Sequence, residues 1–153
     1  MKKIISICLL TFTLFSCNSD EIINGFDFDT SLNISITGSN GHDLLDPINS
    51  DAFDQSKIKI LYLVGGKLIQ KPNGTDYPGN FLIYKQDNRT IMRIFLNDSE
   101  DEKYPETYIQ WDENHTDIIK IEFNRTKNAV SKKTIWFNNE LKTDIVPYLK
   151  IVK

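Results

Sequence analysis

Residues 57–71 read KIKILYLVGGKLIQK, and this stretch decides the fold. The apolar side chains of its first half recur at every second position, with Ile58, Ile60, Tyr62 and Val64 on one face and Leu61 and Leu63 on the other. Alternation with a period of two predicts a β-strand, here one that becomes buried on both faces. The dipeptide Gly65-Gly66 accepts the positive φ angles of a two-residue hairpin turn. The stretch therefore predicts an antiparallel β-hairpin.

Period-two segments bounded by turn residues recur along the rest of the chain. Besides the hairpin, the predicted strands are 33–37, 81–86, 90–97, 107–112, 118–124, 133–138 and 148–152. Turn residues separate them at 72–74, 77–79, 87–89 and 138–139. Because sequential hairpins favour antiparallel sheets, we predict an all-β fold: a single antiparallel β-sandwich or barrel-like meander of about eight strands.

Residues 38–56, GSNGHDLLDPINSDAFDQS, interrupt this pattern. An irregular connection of this length is uncommon in a compact domain and is often functional. We expect the loop to fold back over one end of the sandwich, with one helical turn near residues 51–55. Four apolar side chains require burial there: Leu44, Leu45, Ile48 and Phe53.

The first residues, MKKIISICLLTFTLFSC, combine a basic start, an apolar stretch and a final cysteine, and they lack the period-two pattern of the strands. Lys2 and Lys3 precede an apolar stretch over 4–15, which has the length of a secretory signal and is too short to span about 30 Å of hydrocarbon. The stretch ends in Leu14-Phe15-Ser16-Cys17, which resembles the lipobox of bacterial lipoproteins. The resemblance implies diacylglyceryl transfer to the Cys17 thiol, cleavage before Cys17 and acylation of the new amino terminus.

The residues behind Cys17 extend the resemblance. Residues 18–21, NSDE, resemble the surface-export signal of Bacteroidota lipoproteins, although a solvated acidic linker explains them equally well. The run GHDLLDP at 41–47, followed by the hairpin, is similar to small Bacteroidota lipoproteins of uncharacterised function, a likeness that implies no catalytic residue. We therefore expect a signal peptide at 1–16, a lipidated tether at 17–32 and a β domain at 33–153. We expect the lipid to hold the domain to the outer membrane of the cell envelope, either on its periplasmic face or at the cell surface.

Composition excludes several classes of function. The formal net charge is −3 and becomes more negative once Lys2 and Lys3 are removed, so nucleic acid, which needs clustered Lys and Arg, is not an expected partner. The two cysteines are Cys8, inside the predicted signal peptide, and Cys17. The β domain therefore has no thiol nucleophile, disulfide or cysteine metal site.

His42, Asp43 and Asp46 form a compact group of candidate binding residues. Zn²⁺ usually needs three or four ligands, mostly His or Cys, and the other histidine, His115, lies far along the chain. Ca²⁺ suits the Asp-rich loops at 38–56 and 98–102, but neither has EF-hand spacing. Alternatively, Asp43 and Asp46 cap turns. We predict no cofactor.

Enzymatic signatures are weak. No G-x-S-x-G motif occurs, so a Ser–His–acid triad on a nucleophile elbow is not indicated. Nothing singles out a carboxylate pair among the 21 acidic residues for glycoside hydrolysis. We predict a non-enzymatic protein, with a small hydrolase as the third-ranked interpretation.

Aromatic residues give the best binding signal. If Ile135 and Phe137 face the core, Trp136 points outward, and by the same alternation Trp111 belongs to the core and Tyr108 to the exposed face. An outward Trp136 beside a tyrosine can stack on a sugar or fill a partner's pocket. The alternative is that residues 38–56 or the carboxy-terminal segment cover Trp136. We predict a binding module for a glycan or an envelope protein. The alternative is an inhibitor of a hydrolase such as lysozyme, acting through the acidic loop 98–106.

Overall fold

The computed structural model describes residues 25–70 and 77–153, and these contain strands and turns but no helix. The strands are β1 (Asp27–Phe28), β2 (Ser31–Thr37), β3 (Lys59–Val64), β4 (Lys67–Ile69), β5 (Phe81–Gln86), β6 (Arg89–Phe95), β7 (Glu106–Gln110), β8 (Thr116–Arg125), β9 (Ala129–Phe137), β10 (Glu140–Lys142) and β11 (Leu149–Val152). The predicted all-β class is confirmed. The signal peptide at 1–16, Cys17 and the turn at 72–74 lie outside the described residues.

The strands form two sheets. The seven-stranded sheet has the order β1-β9-β8-β7-β3-β4, with β10 on the same edge of β9 as β1, and the four-stranded sheet has the order β11-β2-β6-β5. Most neighbours are sequential antiparallel hairpins, as predicted. The first and last strands differ, because β1 pairs with β9 and β11 with β2 in parallel. Both β1 and the start of β2 lie inside the segment predicted as a tether, 17–32.

One hydrophobic core lies between the sheets. Alternate residues of the paired strands face inward and form a single cluster: Leu32, Ile34 and Ile36 on β2, Ile60 and Tyr62 on β3, Met92 and Ile94 on β6, Ile109 on β7, Ile119 and Ile121 on β8, Ile135 and Phe137 on β9, and Leu149 and Ile151 on β11. The Tyr62 hydroxyl donates a hydrogen bond to the Phe95 carbonyl oxygen at 2.9 Å, which ties the two sheets together. Burial raises the pKa of Tyr62 above its ordinary value.

The hairpin turns agree with the sequence prediction. Both residues of Gly65-Gly66, Asp87-Asn88 and Asn138-Asn139 have positive φ angles, between 49° and 76°. Such turns match the right-handed twist of the strands that they join. Glycine, asparagine and aspartate adopt this conformation more readily than other residues, which is why these dipeptides end the strands.

The loop 38–56 caps one end of the sandwich, as predicted. Leu44 and Leu45 are buried, and the Phe53 amide donates to the Leu44 carbonyl oxygen at 2.8 Å. Two details of the prediction were wrong: Ile48 is 82% exposed, and residues 51–55 contain turn, bend and irregular backbone but no helix. Aspartate side chains bond local backbone amides here, as Asp46 does to Ile48 at 3.2 Å, and such bonds compete with helix formation.

Candidate functional site

A cleft lies at the end of the sandwich that the loop 38–56 caps. It has a volume of about 590 Å³, within the range typical of small-molecule sites. Three segments distant in sequence form its wall: the loop itself, the turn between β7 and β8, and Lys153 beyond β11. We call it the end cleft.

The floor of the end cleft is aromatic. Phe53 stacks on Trp111 with ring centroids 4.7 Å apart and an interplanar angle of 18°. Trp111 is 1% exposed, as its predicted place in the core requires, and its indole N–H donates to Asp117 Oδ2 at 2.6 Å. The Lys153 ammonium lies 2.7 Å from the same oxygen and 5.7 and 5.6 Å from the Phe53 and Trp111 ring centroids. Hydrogen bonds and cation–π contacts therefore hold the floor in one arrangement.

One histidine lines the end cleft, and the other is bonded to an aspartate that lines it. His115, which lines it, has Nδ1 2.8 Å from Asp112 Oδ2, and His42 has Nδ1 3.1 Å from Asp51 Oδ1. Asp51 and Asp112 both line the cleft. Each carboxylate engages Nδ1 of its imidazole, so Nε2 of each ring is the nitrogen left for other partners. The fold thus brings the aspartates of two His–Asp pairs, from opposite halves of the chain, to one cleft.

The rim carboxylates are held in their ionised form. Hydrogen bonds from the Asn40 amide and from His42 lower the pKa of Asp51. The backbone amide of Asn114 and the His115 ring lower the pKa of Asp112 in the same way. A hydrogen bond to the charged form of a carboxyl stabilises that form. The rim therefore offers hydrogen-bond acceptors at neutral and mildly acidic pH.

We expect the domain to lose stability as the pH falls below about 4. The folded-state pKa values of Asp51 and Asp112 lie below their unfolded value of ~3.9. The unfolded chain therefore binds protons first, so the contribution is complete above that value and is lost as the pH approaches the folded values. Thermal unfolding midpoints across this range measure the loss. Asp112→Asn should lower the midpoint at neutral pH and flatten its acid dependence, and an equally steep decline in that variant would contradict the assignment.

The structure separates the residues that sequence grouped around His42. Asp43 accepts hydrogen bonds from the backbone amides of Leu45 at 3.0 Å and Thr90 at 2.8 Å. Asp46 accepts from the backbone of Ile48 and pairs with the Lys85 ammonium at 3.1 Å. Both carboxylates thus stabilise turns and strand connections, as in the turn-capping interpretation. Within residues 25–70 and 77–153, no group of three His, Cys, Asp or Glu side chains is placed to hold a metal ion.

Trp136 points away from the core, as predicted, on the outer face of the larger sheet. It lies directly across from Lys120, and Lys120 lies across from Glu106. The edge of Tyr104 approaches Trp136 at 5.7 Å between centroids with an interplanar angle of 89°. These aromatics, with Lys120 and Asn139, line a shallow pocket of about 310 Å³, which we call the outer-face pocket. Tyr104 of the acidic loop partly covers Trp136, and Leu141 of β10 lies directly across from it.

Tyr108 lies on the same outer face but has a different partner. Its hydroxyl donates to Glu106 Oε2 at 3.0 Å, and the ring is half-buried. Burial and the neighbouring Glu106 carboxylate raise the pKa of Tyr108. The tyrosine that neighbours Trp136 is therefore Tyr104, a residue that sequence reasoning did not select.

The acidic loop is attached firmly at its base. The buried Asn97 amide donates to the carbonyl oxygens of Leu63 at 3.0 Å and Glu106 at 3.3 Å. Arg125 donates to the carbonyl oxygens of Asp98 at 2.8 Å and Ser99 at 3.3 Å. Beyond these contacts, residues 100–102, with three carboxylates, are exposed. The loop therefore presents negative charge from a fixed base.

Sequence reasoning missed most of the end cleft. It did not select Phe53, Asp51, Asp112 or Lys153 as site residues. Asp117 did leave a signal, because it occupies an inward position of the period-two strand β8, alongside Ile119 and Ile121. A carboxylate at such a position needs buried partners. The sequence does not reveal that those partners are Trp111 and Lys153.

Comparison of the chain with protein-family models, curated proteins and solved structures finds no significant match. The described residues also contain no helix that could cross a membrane.

Proposed function

We propose that this chain is a lipid-anchored protein of the bacterial cell envelope, attached to the outer membrane through Cys17. Its β domain acts as a non-enzymatic binding module for a glycan. The lipobox residues 14–17 support the anchor. The observation that carries the binding function is the end cleft, which combines an aromatic floor with a rim of ionised carboxylates and the His115 imidazole.

The chemistry of the end cleft suits a sugar. The apolar face of a sugar ring packs on an aromatic ring, and half-buried Phe53 supplies that surface. Sugar hydroxyl groups donate to the carboxylates of Asp51 and Asp112 and accept from ammonium or imidazole donors. Cationic Lys57 and Lys153 line the same cleft as the rim aspartates. This mixture of charges favours a neutral ligand over an ion of either sign.

The same geometry argues for binding rather than catalysis. In the described part of the chain, the bonds to the two imidazole rings come from Asp51, Asn40 and Asp112, and no serine or threonine hydroxyl is bonded to either ring. Asp51 and Asp112 have lowered pKa values, whereas a general acid needs a pKa near the working pH. Because His–Asp pairs also occur in hydrolases, the binding experiment includes a test for hydrolysis of the polysaccharide.

Affinity gel electrophoresis of the lipid-free chain tests the proposal, with gels containing a neutral glucan, mannan or galactan. At least one polysaccharide should retard the protein. Phe53→Ala should abolish that retardation, because the ring under the sugar is lost. Trp136→Ala is the matched control, since it removes an aromatic ring of the outer-face pocket and should leave retardation unchanged. Circular dichroism melts establish that both variants are folded.

Other results would overturn the assignment. Loss of retardation in Trp136→Ala alone would move the site to the outer-face pocket. Unretarded migration in every gel would contradict glycan binding. Release of reducing sugar from the retarding polysaccharide, abolished by His115→Ala, would make the protein a hydrolase.

A second candidate function is inhibition of a basic hydrolase such as lysozyme. The observation that favours it is the acidic loop, whose exposed carboxylates at 100–102 rise from the base held by Asn97 and Arg125. A rigid acidic loop is electrostatically complementary to a basic active-site cleft. A lysozyme assay with the wild-type chain and with the carboxylates of residues 100–102 changed to amides would separate this function from glycan binding.

A further inference from the structure

Two exposed phenylalanines stand out on the surface near the start of the described chain. Phe26 is 68% exposed and Phe28 is 64% exposed, and their rings stack with centroids 6.1 Å apart. An apolar patch of this kind on a soluble domain commonly marks a surface that contacts a partner or a membrane. The pair lines neither the end cleft nor the outer-face pocket, so it forms a separate surface feature.

The pair lies at the opposite end of the larger sheet from the end cleft. Phe28 is in register with Val130 of β9, and Val130 is in register with Arg125 at the end of β8. Asp117, which bonds the floor of the end cleft, is eight residues earlier on β8. At ~3.3 Å per residue these two levels are about 26 Å apart. A surface that covers the phenylalanines therefore leaves the end cleft open.

The chain length before the pair limits how far the pair can lie from a lipid on Cys17. Only eight residues separate Cys17 from Phe26, and an extended chain of that length spans about 30 Å at most. A lipid on Cys17 therefore keeps the phenylalanines within about 30 Å of the bilayer surface. Phenylalanine side chains are common on the apolar faces of segments that lie in the membrane interface.

The charged groups beside the pair are compatible with lipid. The tip of the β8–β9 hairpin carries exposed Lys127, and the neighbouring Asn128 carbonyl oxygen accepts from the Asp27 amide at 3.1 Å. A lysine can extend its ammonium to headgroup phosphates while its stem stays on apolar surface. Asp29 forms an ion pair with Lys132, which compensates one of the two acidic residues nearby.

We propose that the Phe26–Phe28 pair seats the domain on the bilayer that holds the lipid of Cys17, so that the end cleft faces away from the membrane. This proposal rests on the lipid anchor proposed above. The occupant of the apolar patch is the lipid surface. Because the anchor holds the domain next to the bilayer, the effective concentration of lipid at the patch is high enough that two rings suffice to orient the domain.

Fluorescence quenching by brominated lipid tests this orientation in the full lipidated chain. The protein is reconstituted into phosphatidylcholine vesicles with or without bromine on the acyl chains. Native Trp111 bonds Asp117 at the cleft end, and Trp136 is in register with Lys120, five residues before Arg125 on β8, so both should be barely quenched. Phe28→Trp should add emission that bromine quenches severalfold more strongly than it quenches the emission of the native tryptophans. Ile48→Trp is the matched control, because Ile48 is highly exposed in the loop at the cleft end and should add unquenched emission.

Each outcome decides a separate point. Equal quenching of Phe28→Trp and Ile48→Trp in vesicle-bound, lipidated protein would overturn the seating while leaving the anchor intact. Unquenched Phe28→Trp together with a dimer in detergent would assign the patch to a second copy of the chain instead. An unmodified Cys17 in the mass spectrum, with no sedimentation on vesicles, would remove the anchor and the seating together.

Discussion

Trp111→Ala should lower the free energy of unfolding by about 3–5 kcal/mol, the usual cost of removing a large aromatic side chain from a core. Trp111 is 1% exposed, packs in the core cluster and stacks on Phe53. Truncation leaves a cavity under Phe53 and removes a hydrogen-bond donor from the buried Asp117 carboxylate. Urea denaturation at neutral pH measures the change, with the slope of the transition recorded as a check on two-state behaviour.

Trp111→Phe separates the two causes of this loss. It keeps a ring against Phe53 but has no N–H to donate to Asp117. We expect it to retain a substantial part of the stability that Trp111→Ala loses. A Trp111→Ala protein less than about 1 kcal/mol below wild type would contradict the burial described here, because such a small change is typical of exposed positions.

Asp117→Ala should have the second largest effect, a loss of about 2–3 kcal/mol. The carboxylate accepts from Trp111 Nε1 at 2.6 Å and Asn138 Nδ2 at 2.9 Å, and pairs with the Lys153 ammonium at 2.7 Å. Its removal leaves the buried Trp111 N–H without an acceptor, at a cost of about 1–3 kcal/mol. The Asn138 side chain is exposed and Lys153 is partly exposed, so water compensates part of the loss of their bonds to the carboxylate.

A double-mutant cycle with Lys153→Met isolates the ion pair. Lys153→Met should destabilise the wild-type chain more than it destabilises Asp117→Ala, because in the second case its partner is already absent. Identical effects in both backgrounds would show that the 2.7 Å contact contributes nothing to stability. Asp117→Asn, which keeps the shape and one acceptor oxygen, should lie between wild type and Asp117→Ala.

The Asp117 network also connects stability with the proposed binding site. Lys153 and Trp111 form the floor on which Phe53 rests. A variant that frees these side chains loses the fixed surface under the sugar, so weaker polysaccharide retardation should accompany the loss of stability. Asp46→Asn, which changes a carboxylate that is paired with Lys85 and does not line the cleft, should leave retardation unchanged.

Local sequence patterns were sufficient to predict the strands and the face on which each of these side chains lies. Alternation placed Ile135 and Phe137 inside, Trp136 outside and Trp111 in the core, and the structure agrees. The expectation that the apolar side chains of the loop 38–56 are buried was wrong at Ile48, which is exposed. Asx turns at Asp43, Asp46 and Asp54 direct that backbone, and no periodicity reports on them.

The sequence by itself determined the all-β class, the hairpin turns and the inward and outward faces of the strands, because period-two alternation and positive-φ dipeptides act over a few residues. It also carries the predicted lipid attachment at Cys17. Only the tertiary structure decided that β1 lies parallel to β9 and β11 to β2, and that Phe53, Trp111 and Lys153 meet in one cleft. The physical reason is that alternation selects the face a side chain occupies, whereas the neighbour of a strand depends on packing between segments that here lie more than a hundred residues apart.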